Sequence, residues 1–164
     1  MNRKTVVVTG ASSGIGRATA ERFAVEGWAV CALARRETEL DRLLGALPGG
    51  DHLKVVGDYS VPATARRLEE ILQARWGRLD ALINCAGVSM SGNPIDTALS
   101  EWRRALDVML DGAVLITRAT VPLLVSGSRI VHITSIHGER VERGSSAYAV
   151  AKAAINQYCR ALAL

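Results

Sequence analysis

The stretch TGASSGIG (Thr9–Gly16) lies between an apolar run, KTVVVT (4–9), and an amphipathic run, SGIGRATAERFAVEG (13–27). The apolar run predicts a strand and the amphipathic run predicts a helix. The three glycines of the stretch allow a tight turn and let a ligand approach the first turn of the helix closely. Unpaired N–H groups and the positive end of the helix dipole favour an anion at that point. The stretch therefore predicts that a dinucleotide binds here through its pyrophosphate, and a purely structural turn is the alternative.

The rest of the chain repeats this alternation of short apolar runs and longer amphipathic runs. Further strands are predicted at 28–34, 52–56, 79–85 and 128–135, and further helices at 37–47, 62–77, 99–125 (kinked or ended by Pro122) and 145–164. Strands that are apolar along their whole length are typical of a parallel sheet covered on both faces. With right-handed crossovers, the alternation predicts a doubly wound α/β sheet of strand order 3-2-1-4-5. No repeat or linker divides residues 1–164, so the sequence predicts one domain.

Composition bounds the class of protein. The net charge of +4 comes mainly from arginine and suits anionic ligands. It is weak for a nucleic-acid binder, and no basic run with interleaved aromatic residues occurs, so we expect no nucleic-acid partner. Cys31, Cys85 and Cys159 are odd in number and far apart, which favours free thiols in a reducing compartment over disulfides or a metal site. The N-terminal apolar run is too short for a signal peptide or membrane span, so we expect a soluble, cytoplasmic protein.

The end of the second predicted strand indicates which dinucleotide binds. An acidic residue at this point holds the ribose 2′-hydroxyl of NAD. This chain has Ala34 there, followed by Arg35 and Arg36. A guanidinium matches a phosphate in a bidentate fashion, and no preceding carboxylate repels that phosphate. The sequence therefore favours NADP over NAD, and the alternative is that the two arginines are ordinary solvated surface residues.

Three residues near the end of the sequence suggest acid–base chemistry. Ser135 is predicted to end the fifth strand, at the sheet edge where open α/β folds bind ligands. Tyr148 and Lys152 are four residues apart, so they share one face of the last helix. A neighbouring ammonium favours the phenolate form of a tyrosine, which is otherwise a poor acid–base catalyst at neutral pH. The spacing suggests that Tyr148 exchanges a proton with a carbinol oxygen that the Ser135 hydroxyl also holds, and a chance Y-x-x-x-K pair on a helix is the alternative.

Together these pieces resemble the short-chain dehydrogenase/reductase family, in its classical type, over essentially all 164 residues. The matching segments are Thr9–Gly16 for the family's T-G-x-x-x-G-I-G, Asp58 for its acidic residue after the third strand, Asn84–Gly87 (NCAG) for its N-N-A-G, Ser135 for its serine, and Tyr148 with Lys152 for its Y-x-x-x-K. Five motifs in this order make the resemblance specific.

The resemblance implies a Rossmann-type fold and an NADP(H)-dependent oxidoreductase that moves a hydride between the nicotinamide and a carbonyl or secondary alcohol. Tyr148 is then the general acid–base, Ser135 orients the substrate oxygen, and Lys152 binds the nicotinamide ribose and favours the phenolate. The residues expected at the cofactor are Gly10, Ser12, Ser13, Gly14, Ile15, Gly16, Arg35, Arg36, Asp58, Asn84, Ala86, Gly87, Tyr148 and Lys152. The implied partners are a small-molecule carbonyl or alcohol substrate and further copies of the chain in a homo-oligomer, without nucleic acid, metal or membrane.

The sequence departs from the family pattern at Met109. The family usually has an asparagine in a stretch like D-V-N-L, where it holds a water in a proton relay to the lysine, and this chain has DVML (107–110). A thioether donates no hydrogen bond and accepts one only weakly, so the relay is incomplete at this position. Asn156, one turn beyond Lys152, is a candidate substitute, and an ordinary polar helix residue is the alternative.

A second departure is that the family continues beyond this helix into a sixth strand, a substrate-covering loop and a seventh strand. We therefore expect a C-terminally shortened member of the family, with an uncovered edge on the fifth strand and an incomplete substrate pocket. The alternative to an active enzyme is a shortened dinucleotide-binding fragment with impaired or no catalysis.

Two histidines lie in or just after the fifth predicted strand. His132 lies in the apolar run RIVHITS and is expected in the core. His137 follows Ser135 at the ligand-binding edge and is a candidate substrate contact, an ordinary loop residue being the alternative. The substrate itself is not specified by these motifs, because selectivity in such folds comes from the loop IHGERVERGSS (136–146) and from later segments.

Overall fold

A five-stranded parallel sheet of order β3-β2-β1-β4-β5 forms the centre of the molecule. The computed structural model describes residues 3–164. The strands are Thr5–Thr9 (β1), Ala29–Ala34 (β2), Leu53–Val56 (β3), Leu79–Asn84 (β4) and Leu124–His132 (β5). The helices are Gly14–Val25 (α1), Glu37–Ala46 (α2), Pro62–Arg75 (α3), Leu99–Leu106 (α4), Gly112–Thr120 (α5) and Ser146–Leu162 (α6). The predicted fold class and strand order are confirmed.

The side chains of β1 alternate between two apolar layers, one on each face of the sheet. Val7 packs with Leu68 of α3 and Ile116 of α5, while Val6 and Val8 pack with Leu40 of α2 and with residues of α1. Every residue of β1 and β2 is buried because both strands have neighbours on both edges and helices on both faces. This arrangement explains why the inner strands are apolar along their whole length.

The fifth strand differs from the prediction in both its position and its burial. It begins at Leu124 and contains an irregularity at Gly127, whose positive φ of 85° suits a bulge. The Ser128 hydroxyl spans the irregularity, because it accepts from the Val125 N–H and donates to the Leu79 carbonyl of β4. The strand ends at His132, where β4 also ends. It is an edge strand whose residues are all exposed or half-buried, so the predicted fifth strand is confirmed, but its predicted bounds of 128–135 and its burial are wrong.

The long helix predicted over 99–125 is interrupted. A π-helical turn, Asp107–Asp111, separates α4 from α5, and a 3₁₀ turn, Val121–Leu123, follows α5. Pro122 lies in that 3₁₀ turn, so the prediction that this proline ends the helix is confirmed. Among residues 3–164, no helix is both long enough and apolar enough to cross a membrane.

Candidate active site

The glycine turn between β1 and α1 places its backbone against the loop that follows β4. Gly10 has a φ of 68°, and a β-carbon at this residue would lie 3.0 Å from the Ala86 Cα. A β-carbon on Gly16 would lie 2.5 Å from the Gly10 carbonyl oxygen. Gly14, with a φ of 54°, opens α1 and faces empty space. The backbone packing therefore requires two of these glycines, and the third leaves room for a ligand at the helix N-terminus.

Thr9 fixes the relative position of the two loops. Its buried hydroxyl oxygen accepts hydrogen bonds from the Cys85 and Ala86 N–H groups, each at 3.1 Å. The loop after β4 is thereby tied to the end of β1, next to the glycine turn. Thr9 is the first residue of the glycine motif Thr9–Gly16, but the motif alone predicts no separate role for its side chain. A polar residue that ends an otherwise apolar strand is the signal that marks it.

A cleft of about 320 Å³ lies at the carboxyl ends of β1, β2 and β4. Its lining includes ten of the predicted cofactor residues: Gly10, Ser12, Ser13, Ile15, Gly16, Arg35, Arg36, Asp58, Ala86 and Gly87. Seven lining residues were not predicted as site residues: Leu33, Ala34, Gly57, Tyr59, Cys85, Val88 and Val108. A doubly wound sheet binds its ligand at this edge, so the position and the lining fit a dinucleotide.

The two arginines lie on the rim of this cleft. The Arg36 Nη2 donates to the Ser12 hydroxyl at 3.0 Å, which holds the guanidinium against the glycine turn. The Arg35 Nη1 lies 3.9 Å from the Asp58 carboxylate. The Ser60 hydroxyl donates to Asp58 and is the main reason that the pKa of this carboxyl lies below its usual value, with Arg35 adding to the effect. Two guanidinium groups and one ionised carboxylate leave a net positive charge where a phosphate would bind.

Asn84 is not brought to the cleft. Its side chain is buried next to α5, with Nδ2 at 3.3 Å from His132 Nδ1 and 3.5 Å from the Thr117 hydroxyl of α5. Burial, and then the charge of Lys152, lower the pKa of His132, which agrees with a neutral ring that accepts from the amide. His132 itself is half-buried rather than a core residue. The predicted cofactor contact of the Asn84 side chain is therefore not supported by this geometry.

Ser135 and Tyr148 line a second hollow, of about 460 Å³, beside the first cleft. Gly87 and Val88 line both, so the two spaces adjoin. Ser135 lies in extended backbone beyond the end of β5, where its hydroxyl oxygen accepts from the His137 N–H at 3.2 Å. The hydroxyl proton of Ser135 has no acceptor among the described residues and is available to a substrate oxygen.

Lys152 lies on α6 beside the tyrosine ring. The residue is 7% exposed, and its Nζ lies 5.6 Å from the centre of the Tyr148 ring. The ammonium donates to the Ile133 carbonyl at 2.7 Å, which directs it towards the carboxyl end of the sheet. Burial lowers the pKa of Lys152, and Cys85 partly opposes this effect. The three residues of the predicted triad are thus brought to one place.

Met109 occupies the π-helical turn close to the triad. It is buried among Ala105, Ala147 and Ala151. A β-carbon on Gly87 would lie 3.9 Å from Lys152 Nζ and 4.0 Å from Met109 Cγ, so the thioether side chain and the ammonium approach the same glycine. π-Helical turns within α-helices are frequent at functional sites.

Asn156 does not take the place of the missing asparagine. A β-carbon on Gly138 would lie 2.6 Å from Asn156 Nδ2, so the amide is directed at the 3₁₀ turn Ile136–Gly138. The Lys152 ammonium makes its described hydrogen bond to the Ile133 carbonyl and none to Asn156.

Comparison with known proteins identifies relatives over the whole described chain. The model of a family described as short chain dehydrogenase matches residues 4–164. The chain is 34% identical over 164 residues to meso-2,3-butanediol dehydrogenase of Serratia marcescens. This match covers 99% of this chain and 65% of that protein. It is 33% identical over 159 residues to sulfoacetaldehyde reductase 2 of Chromohalobacter salexigens, covering 93% of this chain and 63% of that protein.

Solved structures show the same fold. A short-chain dehydrogenase from Streptomyces avermitilis superposes with a TM-score of 0.93 at 34% identity, covering 99% of this chain and 60% of that one. A short chain dehydrogenase from Burkholderia cenocepacia, in complex with NADP, superposes with a TM-score of 0.92 at 30% identity, covering 99% and 69%. The chain thus spans less than two thirds of the length of the first curated relatives, yet the family model matches all but its first three residues. The chain belongs to the short-chain dehydrogenase/reductase family.

Proposed function

We propose that this protein is an NADP(H)-dependent oxidoreductase that transfers a hydride between the nicotinamide and a carbonyl or secondary alcohol carbon. The observation that carries this proposal is that Ser135 and Tyr148 line a hollow adjoining the dinucleotide cleft, with Lys152 Nζ 5.6 Å from the centre of the Tyr148 ring. An acid–base group and a hydrogen-bond donor thus share the hollow, and a buried cation lies beside the acid–base group.

The cleft residues are proposed to hold the cofactor, with the pyrophosphate at the glycine turn and the N-terminus of α1. Members of this family use nicotinamide cofactors, and Arg35 and Arg36 support NADP rather than NAD because each guanidinium offers a fork of N–H donors to a 2′-phosphate. The Burkholderia relative was solved with NADP, which also supports this choice. A bound nicotinamide nucleotide supplies or accepts the hydride exchanged with the substrate carbon.

Each of the three active-site residues has a separate role in this proposal. Tyr148 gives its phenolic proton to the carbonyl oxygen during reduction and takes a proton from the alcohol during oxidation. The Lys152 ammonium stabilises the phenolate that results, since it lies beside the ring in a buried setting. The Ser135 hydroxyl donates to the same substrate oxygen and thereby orients it. Hydride and proton together convert the C=O group to CH–OH.

The substrate is proposed to be a small molecule. The two curated relatives are named for meso-2,3-butanediol and for sulfoacetaldehyde, both of which carry a second polar group beside the reacting carbon. The hollow of about 460 Å³ has room for molecules of this size.

Substitution of Tyr148 tests the proposed role directly. We expect Tyr148→Phe to lower kcat for ketone reduction with NADPH by at least about 100-fold, because general acid catalysis is worth that much or more. The affinity for NADPH, measured by fluorescence titration, should change less than about threefold. Activity retained in this variant would remove Tyr148 from the proposed chemistry, and failure of the wild-type chain to bind NADPH would reject the cofactor assignment.

A dinucleotide-binding protein with impaired turnover is the second candidate, and the buried Met109 favours it. An asparagine at this position offers hydrogen bonds close to Lys152 that the thioether does not. We expect Met109→Asn to raise kcat several-fold while lowering the free energy of unfolding by about 1–3 kcal/mol, since it buries an amide. Met109→Leu, which keeps the volume and apolar character, is the control for both measurements. An enzyme that turns over rapidly with Met109, and no faster with asparagine, would reject the second candidate.

A further inference from the structure

Ser145 and His137 lie within hydrogen-bond distance of each other on the wall of the second hollow, and neither side chain takes part in the proposed reduction. The Ser145 hydroxyl oxygen is 3.0 Å from His137 Nδ1. Both residues line the hollow of about 460 Å³, and both are half-buried. A serine this close to an imidazole is the pair from which a nucleophilic hydroxyl is made, because the ring takes the hydroxyl proton.

The Glu142 carboxylate lies at the other ring nitrogen, 3.8 Å from His137 Nε2. At this distance it makes no direct hydrogen bond, but its negative charge favours the tautomer with the proton on Nε2. Nδ1 then presents its lone pair to Ser145. The hydroxyl has one proton and two acceptors in reach, Nδ1 and the Glu142 carbonyl at 2.8 Å, and rotation of the hydroxyl moves the proton between them. A nucleophile, a base and an orienting carboxylate are thus present together.

Ser145 stands directly before α6, where the helix has unpaired N–H groups. Its hydroxyl does not cap the helix, and the N–H groups of Ala147 and Tyr148 have no acceptor among residues 3–164. The first turn of this 17-residue helix also carries the positive end of the helix dipole. Donors and a dipole of this kind stabilise the oxyanion that forms when a hydroxyl attacks a carbonyl.

We propose that the hollow also hydrolyses small acyl esters through Ser145, an activity that uses no nucleotide and is separate from hydride transfer. The Ser145 Oγ attacks the ester carbonyl carbon while its proton passes to His137 Nδ1, and the carbonyl oxygen becomes the oxyanion. The C–O bond to the alcohol then breaks, and the departing oxygen takes the proton from Nδ1. A water molecule gives one proton to Nδ1 and attacks the acyl-serine, which releases the carboxylic acid and returns that proton to Ser145.

Hydrolysis of p-nitrophenyl acetate by the full chain, without nucleotide, tests the proposal. We expect Ser145→Ala and His137→Phe each to lower the rate by at least about tenfold, because the nucleophile or its general base is removed. Glu142 is a positioning residue, so Glu142→Gln should lower the rate about threefold. Glu142→Asp keeps the charge and should restore part of the rate, which a loss of packing alone would not predict.

The matched control is Ser89→Ala, because Ser89 lines the same hollow and its hydroxyl has no histidine partner among residues 3–164. It should leave the rate within about twofold of wild type. Equal loss of hydrolysis in Ser89→Ala and Ser145→Ala would overturn the proposal. So would a wild-type chain that hydrolyses the ester no faster than the same chain after denaturation in urea.

A covalent label tests the nucleophile without any substitution, so the result does not depend on whether a variant folds. A fluorophosphonate should react with the wild-type chain at Ser145, where an O–P bond forms and fluoride leaves, and mass spectrometry of the digested protein locates the label. A label found only on other residues would overturn the proposal.

Reduction of a ketone with NADPH by the wild-type chain is measured in parallel and separates the two activities. Ester hydrolysis without any reduction rejects the proposed function and leaves the role of Ser145 standing. Reduction without ester hydrolysis supports the proposed function and overturns the role of Ser145.

Discussion

The Arg36 guanidinium lies against the glycine turn, where it donates to the Ser12 hydroxyl, and Arg35 lies near Asp58 on the same rim. We expect Arg35→Gln and Arg36→Gln each to weaken NADPH binding by about tenfold or more, because each removes a charge-assisted hydrogen bond worth roughly 1.5–3 kcal/mol. NADH has no 2′-phosphate, so its affinity should change less than about twofold in either variant. Fluorescence titration of both nucleotides measures the two affinities.

The matched control for these substitutions is Arg42→Gln on α2, an exposed arginine that pairs with Glu39 outside the cleft. It should change neither affinity. Equal loss of NADPH and NADH binding in the Arg36 variant would indicate that this residue only supports the turn through Ser12.

At the scale of single residues, the sequence predicted that the Tyr148 and Lys152 side chains lie close together, because their spacing fixes their geometry. Tyr148 and Lys152 share a helical face by their separation of four residues. The direction of the Asn84 side chain was not predicted, although it follows from the alternation of side chains between the two faces of a strand. Asn84 has the same parity as Leu82, which packs in the layer with α3, α5 and α6, so its side chain points to that face and not to the cleft.

At the scale of elements, one carboxylate joins the start of β1 to β4. Asp80 accepts from the Thr5 N–H at 2.9 Å and from its hydroxyl at 3.2 Å, and Arg78 donates to its other oxygen at 2.6 Å. Burial alone would raise the pKa of Asp80, but the hydrogen bonds from Arg78 and Thr5 outweigh burial, and the pKa lies below its usual value. The ionised form of Asp80 therefore stabilises the folded protein.

This geometry predicts a pH-dependent loss of stability in Asp80→Asn. The side chain is only 12% exposed, so at pH 7 the variant should lose about 1–3 kcal/mol of unfolding free energy. A carboxyl with a lowered pKa in the fold stabilises the protein above the ordinary pKa of about 3.9, and this contribution disappears as pH falls through the lower, folded-state value. The difference between wild type and variant should thus shrink below about pH 4. Urea unfolding at several pH values measures it, and Asp41→Asn, at an exposed ion pair, is the control. A difference that does not change with pH would contradict the assigned cause.

The boundaries of elements were less predictable than their order. The apolar pattern of residues 99–125 continues through the π-helical turn, because one extra residue in a turn changes the helical period only locally. The start of β5 at Leu124 was missed because Ser126, Gly127 and Ser128 read as a turn, whereas Gly127 forms an irregularity within the strand and Ser128 ties it to β4.

At the scale of the whole molecule, the strand order was predictable because a parallel sheet with right-handed crossovers admits few arrangements. That order places the carboxyl ends of β1, β2 and β4 together, and the glycine turn, the arginines and the triad all lie at this edge. Among residues 3–164, β5 lies at the end of the sheet in this order and pairs with β4 alone. Arg129 and Val131 are exposed on the face of β5 opposite to the one that packs on α5 and α6.

This edge predicts that copies of the 164-residue chain associate with one another. A strand with one unpaired row of N–H and C=O groups, and with Val131 42% exposed beside it, is a template for pairing with another chain. We expect sedimentation velocity to show association that rises with concentration, and Val131→Lys to weaken it by about tenfold, because a charge on an edge strand opposes pairing. Val25→Lys on α1, where the valine is 65% exposed and far from β5, should leave association unchanged. A chain that stays monomeric at all concentrations, or association that Val25→Lys and Val131→Lys alter equally, would show that this edge does not drive assembly.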